Sequence, residues 1–467
     1  MTAPVGVGLA RVTVATPKRR IDVALPETVA LGELLPHVLR HAGEGLADEG
    51  PQHGGWALRR STGALLDPKR SLAMQAIRDG EVLHLVPRRS EWPELAYDDV
   101  VEIIASGSRR AERSWGKPAT RLCALALVAV VLNLGLIGVA LAEAPWTMPG
   151  GVALGFAAIL VAVGVVLARA AGDAGAGAVV AGCAVGYAAL GGFLIVGPAD
   201  REPLDFGAPQ VALAAAAVIL IGVLGYVGVA AYAQIFVAAI ATGLLGLLSA
   251  LLCAAGMDPD GAAAVALTVA LGTLPGYPLL SAWLGRIPMP ELPERPEEML
   301  EDRPSPRRSV VFAAASRSHQ LLNGLLLAAS ATTVVFTVVL LLQPSRWGVL
   351  LAGAGCVTLL LRARLFPTPR QRVPMLVGGA ASAGLLLQAT VAGSAPTARM
   401  LIWLVMVTVV AGLVLAAGLA YSRSSPSPYM GRIGDILDVV AIMALLPLAC
   451  GVIGLYQSLQ GLFAGVV

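Results

Sequence analysis

Charged side chains are scarce in this sequence, where Asp, Glu, Lys and Arg make up only 13% of 467 residues. Soluble globular domains average about 25%. Apolar residues reach 57% and the mean hydropathy is +0.76. The charges that are present crowd into residues 1–121 and a few short segments between long apolar runs. A soluble core would spread charge over its whole surface, so this composition excludes a single soluble globule.

Lysine is also rare, and the cysteines show no spacing that indicates a pair. The only lysines are Lys18, Lys69 and Lys117, so arginine supplies nearly all the positive charge. Together with heavy Ala, Gly and Val usage, this is typical of a GC-rich bacterial genome. Each cysteine falls in or beside a different apolar run, without metal-ligand or disulfide spacing, which favours a packing role. The five are Cys123, Cys183, Cys253, Cys356 and Cys450.

Catalytic and ligand-binding signatures are missing. The chain has neither a Gly-x-x-x-x-Gly-Lys-Ser/Thr phosphate loop nor a Gly-x-Ser-x-Gly nucleophile motif. His37 and His41 are four residues apart, but no third ligand of the right kind lies nearby. Residues 1–30 also lack the apolar core of a signal peptide. We therefore expect no enzyme activity, no cofactor and no nucleic-acid partner.

Long apolar runs dominate the rest of the chain. A helix that crosses the membrane needs about 20 mostly apolar residues. The run 211–256 is too long for one crossing, and we divide it near Gly228–Tyr232. The sequence then predicts about eleven transmembrane helices, at 120–142, 149–171, 176–196, 208–229, 232–255, 260–284, 319–342, 347–362, 373–392, 398–421 and 434–457.

The loop arginines and lysines predict the orientation. With a cytoplasmic N-terminus, 18 of them lie on the cytoplasmic side, against Arg201, Arg346 and Arg399 on the other side. Cytoplasmic loops carry this excess of positive charge. An odd number of spans then leaves the C-terminus in the periplasm.

The predicted span centres carry no ionisable residue, unlike those of most transporters and proton pumps. Asp435 and Asp438 fall in the first turn of the last predicted span, which indicates an interfacial anchor. Small residues are plentiful and would allow close helix contacts. The spacings that favour this are Gly151 with Gly155, Gly182 with Gly186, and Gly222 with Gly225 and Gly228.

The N-terminal segment reads as a small α+β domain. Val12 and Val14 alternate with polar residues, and the alternation resumes after residues 16–19, which predicts a β-hairpin. A helical stripe from Leu31 to Leu39 follows, in which Pro36 should cause a kink or an early end. Strands are predicted at Trp56–Arg60 and Val82–Val86.

This order of elements resembles ubiquitin, and the stretch Leu66–Asp67–Pro68 to Ile77–Val86 is similar to the end of a ubiquitin-type (β-grasp) fold. The chain departs from ubiquitin in having no Gly-Gly after the last strand. It continues instead into Arg88–Arg89–Ser90–Glu91–Trp92–Pro93. Conjugation requires a free C-terminal glycine, so we expect this cytosolic head to be an interaction module.

A more specific resemblance covers the whole chain. Leu34–Leu35–Pro36–His37, Gly54–Gly55–Trp56, Arg78–Asp79–Gly80–Glu81, Glu91–Trp92–Pro93 and Tyr97–Asp98–Asp99–Val100–Val101 resemble the EccD family of membrane components of mycobacterial type VII (ESX) secretion systems. The resemblance implies an inner-membrane complex with EccB, EccC and EccE. It also implies two EccD copies in each protomer, which enclose a lipid-filled cavity.

We expect three regions: a ubiquitin-like cytosolic domain at 1–90, an amphipathic and basic cytosolic linker at 91–118, and a transmembrane domain at 119–467 with a cytosolic loop at 286–318. The amphipathic stretch 95–105 reads equally as a docking helix or as a juxtamembrane linker near anionic lipid. Loop 286–318 is rich in proline and charge, which is typical of an extended arm. The predicted partner-docking residues are Leu95, Val100, Val101, Ile103, Ile104, Glu294, Glu297, Glu298, Arg307 and Arg308.

These features favour a non-enzymatic structural subunit of a secretion complex in the bacterial inner membrane. We expect it to dimerise around a lipid-lined vestibule and to dock the motor and other subunits through its head. The alternative is a secondary transporter with a regulatory cytosolic domain.

Overall fold

The structure, a computed structural model, describes residues 8–16, 20–42, 55–87, 116–197, 206–288, 308–342, 344–423 and 428–464. The chain divides into two compact units, Met1–Trp115 and Gly116–Val467, and each has its own hydrophobic core.

The first unit contains a four-stranded mixed sheet and one helix. Its elements are β1 (Leu9–Ala15), β2 (Arg20–Pro26), α1 (Leu31–Ala42), β3 (Trp56–Arg60) and β4 (Val82–Pro87). The strand order is β2-β1-β4-β3, with β1 and β4 parallel and both outer pairs antiparallel. This confirms the predicted α+β head.

The alternating residues of β1 form one side of the head's core. Val12 and Val14 are buried, and they share the core with Leu34 and Val38 of α1 and with Leu83 of β4. The helix continues through Pro36 to Ala42, so the expected early end did not occur. Packing of an apolar stripe outweighs the cost of an interior proline here.

The second unit contains eleven helical spans within the residues that the structure describes, which confirms the predicted number. The sixth span is α7 and α8, joined by a 3₁₀ turn at Leu274–Gly276, and a short helix, α14, follows the last span. The helices are α2 (Lys117–Ala140), α3 (Thr147–Arg169), α4 (Ala174–Leu194), α5 (Ala208–Val229), α6 (Ala233–Ala254), α7 (Pro259–Gly272), α8 (Tyr277–Leu284), α9 (Arg308–Leu342), α10 (Arg346–Arg362), α11 (Pro369–Val391), α12 (Pro396–Arg423), α13 (Pro428–Val452) and α14 (Leu455–Ala464).

Two predicted boundaries were wrong. Helix α9 is 35 residues long and begins at Arg308, so residues 308–318 of the predicted loop 286–318 are helical. Helix α13 begins at Pro428 and not at residue 434. Hydropathy alone misses both starts, because the first turns of each helix mix polar and apolar side chains. Proline is favoured in the first turn of a helix and begins α13.

The division of the run 211–256 was predicted correctly. Ala230 and Tyr232 have positive φ angles of 52° and 50°, which end α5 and start α6. Arg169 donates hydrogen bonds to the carbonyls of Gly228 at 2.8 Å and Val227 at 3.0 Å. A guanidinium suits the last carbonyls of a helix, since they have no partner within the helix and carry partial negative charge.

Glycine sets the closest helix contacts, but not at every predicted position. A Cβ on Gly164 would lie 2.7 Å from the carbonyl oxygen of Gly177 and 2.7 Å from the Cβ of Ala181, on α4. Gly222 and Gly228 likewise face neighbouring side chains, whereas Gly155 has open space around it. The spacing of small residues therefore coincides with close contacts at some positions, whereas Gly151 and Gly155 meet no neighbour within 4 Å in this chain.

The Gly164→Val variant should lower the thermal midpoint of the detergent-solubilised protein, because α4 backbone atoms block the added side chain. Overpacking of this kind costs about 1–3 kcal/mol. Gly155→Val is the matched control: it makes the same change on the same helix, where nothing lies within 4 Å. Equal midpoints for the two variants would contradict the close α3–α4 contact.

Candidate functional site

Nearly all the predicted docking residues lie outside the described residues. These are Leu95, Val100, Val101, Ile103, Ile104, Glu294, Glu297, Glu298 and Arg307. Arg308 is the first residue of α9 and is exposed. The docking role of all ten residues therefore stays a prediction.

The structure instead brings together four charged residues at one end of the helical unit. Arg362 is the last residue of α10, and Arg364 lies in the 3₁₀ turn Ala363–Leu365 that follows. Asp435 and Asp438 lie on α13, which packs against α10. We call these four residues the ionic cluster.

The inner pair of the ionic cluster is buried. The Nε of Arg362 lies 3.3 Å from Oδ2 of Asp438, and the two side chains are only 16% and 6% exposed. The other carboxylate oxygen of Asp438, Oδ1, is buried without a hydrogen-bond partner among the described residues. A buried charge is tolerated only when it is paired, so Arg362 fixes the position of Asp438 against α10.

The outer pair of the ionic cluster is open to solvent on its acidic side. Arg364 Nη2 donates to Oδ1 of Asp435 at 2.5 Å, and Nη1 donates to the carbonyl of Gly431 at 3.0 Å. The Asp435 side chain is 66% exposed. Gly434 leaves room for this contact, since a Cβ there would overlap the Arg364 guanidinium.

The ionic cluster corrects the prediction for these two acidic residues. Asp435 and Asp438 do not lie in the first turn of the last span, because its helix, α13, begins at Pro428. Asp438 lies ten residues into α13, where it meets Arg362 at the end of α10. The sequence did contain a signal for this pairing. The short eighth span ends in arginines, and it ends on the same side of the membrane on which the eleventh span, with its two acidic residues, begins.

The N-terminus of α11 extends the same surface. Arg372 donates to the carbonyl of Ala363 at 3.0 Å and to that of Arg364 at 2.9 Å, which fixes the turn after α10. Two further arginines are exposed: Arg370 in the first turn of α11, and Arg432, three residues before Asp435 on α13. Basic residues at helix ends attract anionic lipid when they lie on the cytoplasmic side.

A separate ion pair, outside the ionic cluster, joins α2 to the start of α4. Arg121 Nη2 lies 2.5 Å from Oδ1 of Asp173, which also accepts a hydrogen bond from the backbone N–H of Ala176 at 2.9 Å. Both interactions, chiefly the hydrogen bond from Arg121, lower the pKa of Asp173 below its ordinary value. The pair therefore stabilises the fold above the ordinary carboxyl pKa and ceases to do so as the pH falls through the lowered pKa.

The opposite end of the second unit carries an aromatic contact that the sequence did not predict. Gly454, with φ of +79°, separates α13 from α14. Tyr456 of α14 lies 5.7 Å from the ring of Trp347, and its hydroxyl donates to the carbonyl of Pro447 at 2.9 Å. The predicted last span, 434–457, included Tyr456 because its apolar run continues past Gly454.

The fold defines the class of protein: a polytopic helical membrane protein with a ubiquitin-like head. Comparison of the sequence with known families refines this class. The profile of the EccD-like transmembrane domain matches residues 120–462. The profile of the WXG100 protein secretion system (Wss) protein YukD matches residues 9–85. The chain therefore belongs to the EccD family, as the sequence resemblance indicated.

Curated relatives agree with this assignment, and two solved structures share the fold. The chain is 27% identical to the ESX-4 secretion system protein eccD4 of Mycobacterium tuberculosis, from strains CDC 1551 / Oshkosh and ATCC 25618 / H37Rv, over 97% of this chain and 98% of that protein. Protomer 1 of the ESX-3 core complex has a similar fold, with a TM-score of 0.56 at 23% identity, covering 96% of this chain and 99% of that one. A chain of the MycP5-free ESX-5 inner membrane complex gives 0.52 at 19% identity, covering 89% and 100%.

Proposed function

We propose that this chain is a non-enzymatic structural subunit of a type VII (ESX) secretion complex in the bacterial inner membrane. The observation that supports this most strongly is that both parts of the chain match secretion families. The helical unit matches the EccD-like profile, and the head matches a protein of the WXG100 protein secretion system. The match to eccD4 extends over nearly the full length of both chains.

Deletion of the gene in its host tests this function. The deletion should abolish export of the host's WXG100 proteins into the medium, and a plasmid copy should restore it. Immunoblots of the medium and of the cell pellet measure this export. Undiminished export by the deletion strain would contradict the proposal.

The proposed partners are EccB, EccC and EccE, with a second copy of this chain in each protomer. The head would dock the motor and other subunits. The pair of copies would enclose a lipid-lined vestibule. Helix α12 supports the vestibule. None of the residues in the most apolar stretch of its span, Pro396–Leu419, is buried within this chain, and Arg399 is the one charged residue of that span. In a bilayer, such a helix faces lipid or another apolar helix.

Single cysteines along residues 400–420 test the vestibule with a membrane-impermeant thiol reagent. We expect slow labelling through the middle of α12 in the resting complex. Rapid labelling of one face through the full membrane depth would show a water-filled channel.

No described contact favours the alternative of a secondary transporter with a regulatory cytosolic domain. A transporter would need a buried acidic residue on its substrate or proton path. Asp438 is buried and acidic, but it is paired with Arg362, the last residue of α10. That position lies at the end of one span and does not lie at the centre of a solvated cavity. Intramembrane acids of transporters usually face such a cavity or a relay.

The proposed orientation places the N-terminus in the cytoplasm and the C-terminus in the periplasm. It rests on the 18-to-3 distribution of loop arginines and lysines. Alkaline phosphatase fused after Val467 should be active, and green fluorescent protein at the same position should be dark. The same reporters fused at the N-terminus serve as the control and should give the opposite pattern. Fluorescence after Val467 would contradict the orientation.

A further inference from the structure

The helical unit contains a large apolar cavity, which we call the leaflet cavity. Its volume is about 630 Å³, and α2, α4, α5, α6 and α9 form its walls. Its lining includes Leu190, Val211, Cys253 and Val339 but no charged side chain. Three hydroxyls, on Thr242, Ser249 and Thr332, are the main polar groups. Because aliphatic and aromatic side chains form most of the lining, the cavity suits an apolar occupant.

The leaflet cavity occupies one half of the membrane depth. Its lining residues come from the C-terminal halves of α2, α4, α6 and α9 and from the N-terminal half of α5. Because consecutive spans alternate in direction, these halves all lie on the same side of the membrane. On α9 the lining extends from Thr332 to Leu342, which is about 15 Å of helix. This equals about half of the 30 Å hydrocarbon thickness, which is one leaflet.

The leaflet cavity has exposed aliphatic side chains at one edge and two aromatic rings in its lining. Val335 and Val338 of α9 line it and are 52% and 39% exposed. Phe193 and Phe206 also line it, with ring centroids 5.6 Å apart. A hydrocarbon chain can therefore enter sideways from the bilayer between exposed aliphatic side chains.

We propose that the leaflet cavity binds an acyl chain of a phospholipid from the leaflet opposite the basic loops. A cavity of about 150 Å³ binds one benzene molecule, so this one has room for one long chain. A complete helix is about 10 Å wide with its side chains and requires a wider groove. The site lies within one chain, so it goes beyond the proposed function.

Photo-crosslinking tests the site. The full-length chain is reconstituted into nanodiscs, one copy in each, with phosphatidylethanolamine that carries a diazirine near the end of one acyl chain. Mass spectrometry then identifies the labelled peptides. We expect labelled residues on the cavity walls of α4, α5 and α9, in addition to the outer faces of the helices.

Bulky substitutions should remove this labelling specifically. Ala189→Phe and Ala214→Phe both add a ring to the lining of the cavity. Each should reduce wall labelling at least fivefold and leave labelling of the exposed faces unchanged. Ala216→Phe, on the exposed side of α5, is the matched control and should change neither. Thermal midpoints of all three variants establish that they are folded. Two cavity variants are used so that the test remains possible if one of them fails to fold.

Three results would overturn the proposal. Wall residues that are unlabelled in the original chain would show that no acyl chain enters. Wall labelling that persists in both folded cavity variants would show that the reagent reacts from annular lipid. If wall labelling appears in single-copy nanodiscs and is lost when two copies share a disc, the cavity accepts a neighbouring chain, and lipid is not its occupant in the complex.

Discussion

Replacement of Asp438 by alanine should strongly destabilise the helical unit. The substitution leaves the Arg362 guanidinium without its partner, and this charge is then buried and unpaired because the Arg362 side chain is only 16% exposed. Breaking one side of a buried ion pair costs about 3–5 kcal/mol. We expect a marked fall in the thermal midpoint of the detergent-solubilised protein, followed by tryptophan fluorescence. Of the seven tryptophans, Trp347 lies at the start of α10 and packs closely against Gly451 of α13, so its contribution to the fluorescence changes when these two helices separate.

Two further variants make the Asp438 result specific. Asp435→Ala is the matched control on the same helix, and because Asp435 is 66% exposed its pair should contribute only about 0–1 kcal/mol. The double variant Arg362→Met with Asp438→Leu should recover most of the stability, since an apolar pair of similar volume often replaces a buried ion pair without loss. Equal effects of Asp438→Ala and Asp435→Ala would contradict the buried pair.

Removal of the head should prevent assembly while leaving the spans in the membrane. The head has its own core, in which Leu72 is 0% exposed. Deletion of residues 1–90 should reduce co-purification of the motor subunit at least tenfold, while the truncated chain still fractionates with membranes. Co-purification at the level of the full chain would contradict a docking role for the head.

A point substitution separates loss of the head's fold from loss of chain length. Leu72→Asp places a charge in the core of the head and should reproduce the deletion. Met74→Asp introduces the same charge two residues away, where the side chain is 72% exposed, and should have no effect. If both variants behave alike, the assembly defect does not depend on a folded head.

The sequence predicted elements whose signals are local. The alternation around Val12 and the break near Gly228–Tyr232 depend only on neighbouring residues, and the structure confirms both. The number of spans follows from hydropathy in the same way. Membership of the EccD family was predicted from short motifs in the head and in the linker that follows it, together with the number of spans.

Features that depend on contacts between distant residues were not predictable in this way. Arg362 and Asp438 are 76 positions apart, and a hydropathy window cannot show that one neutralises the other. Glycine spacing identifies candidate contacts but cannot show which face meets a neighbour, as Gly155 and Gly164 demonstrate.

Affinity purification of the intact chain from its host tests the central claim most directly. The chain, tagged at its own chromosomal locus and extracted in a mild detergent, should be recovered in a large complex. Quantitative mass spectrometry should then find EccB, EccC and EccE homologues of the same host, with two copies of this chain in each protomer. Recovery of the chain alone, or without any of these subunits, would contradict its assignment as a structural subunit of an ESX secretion complex.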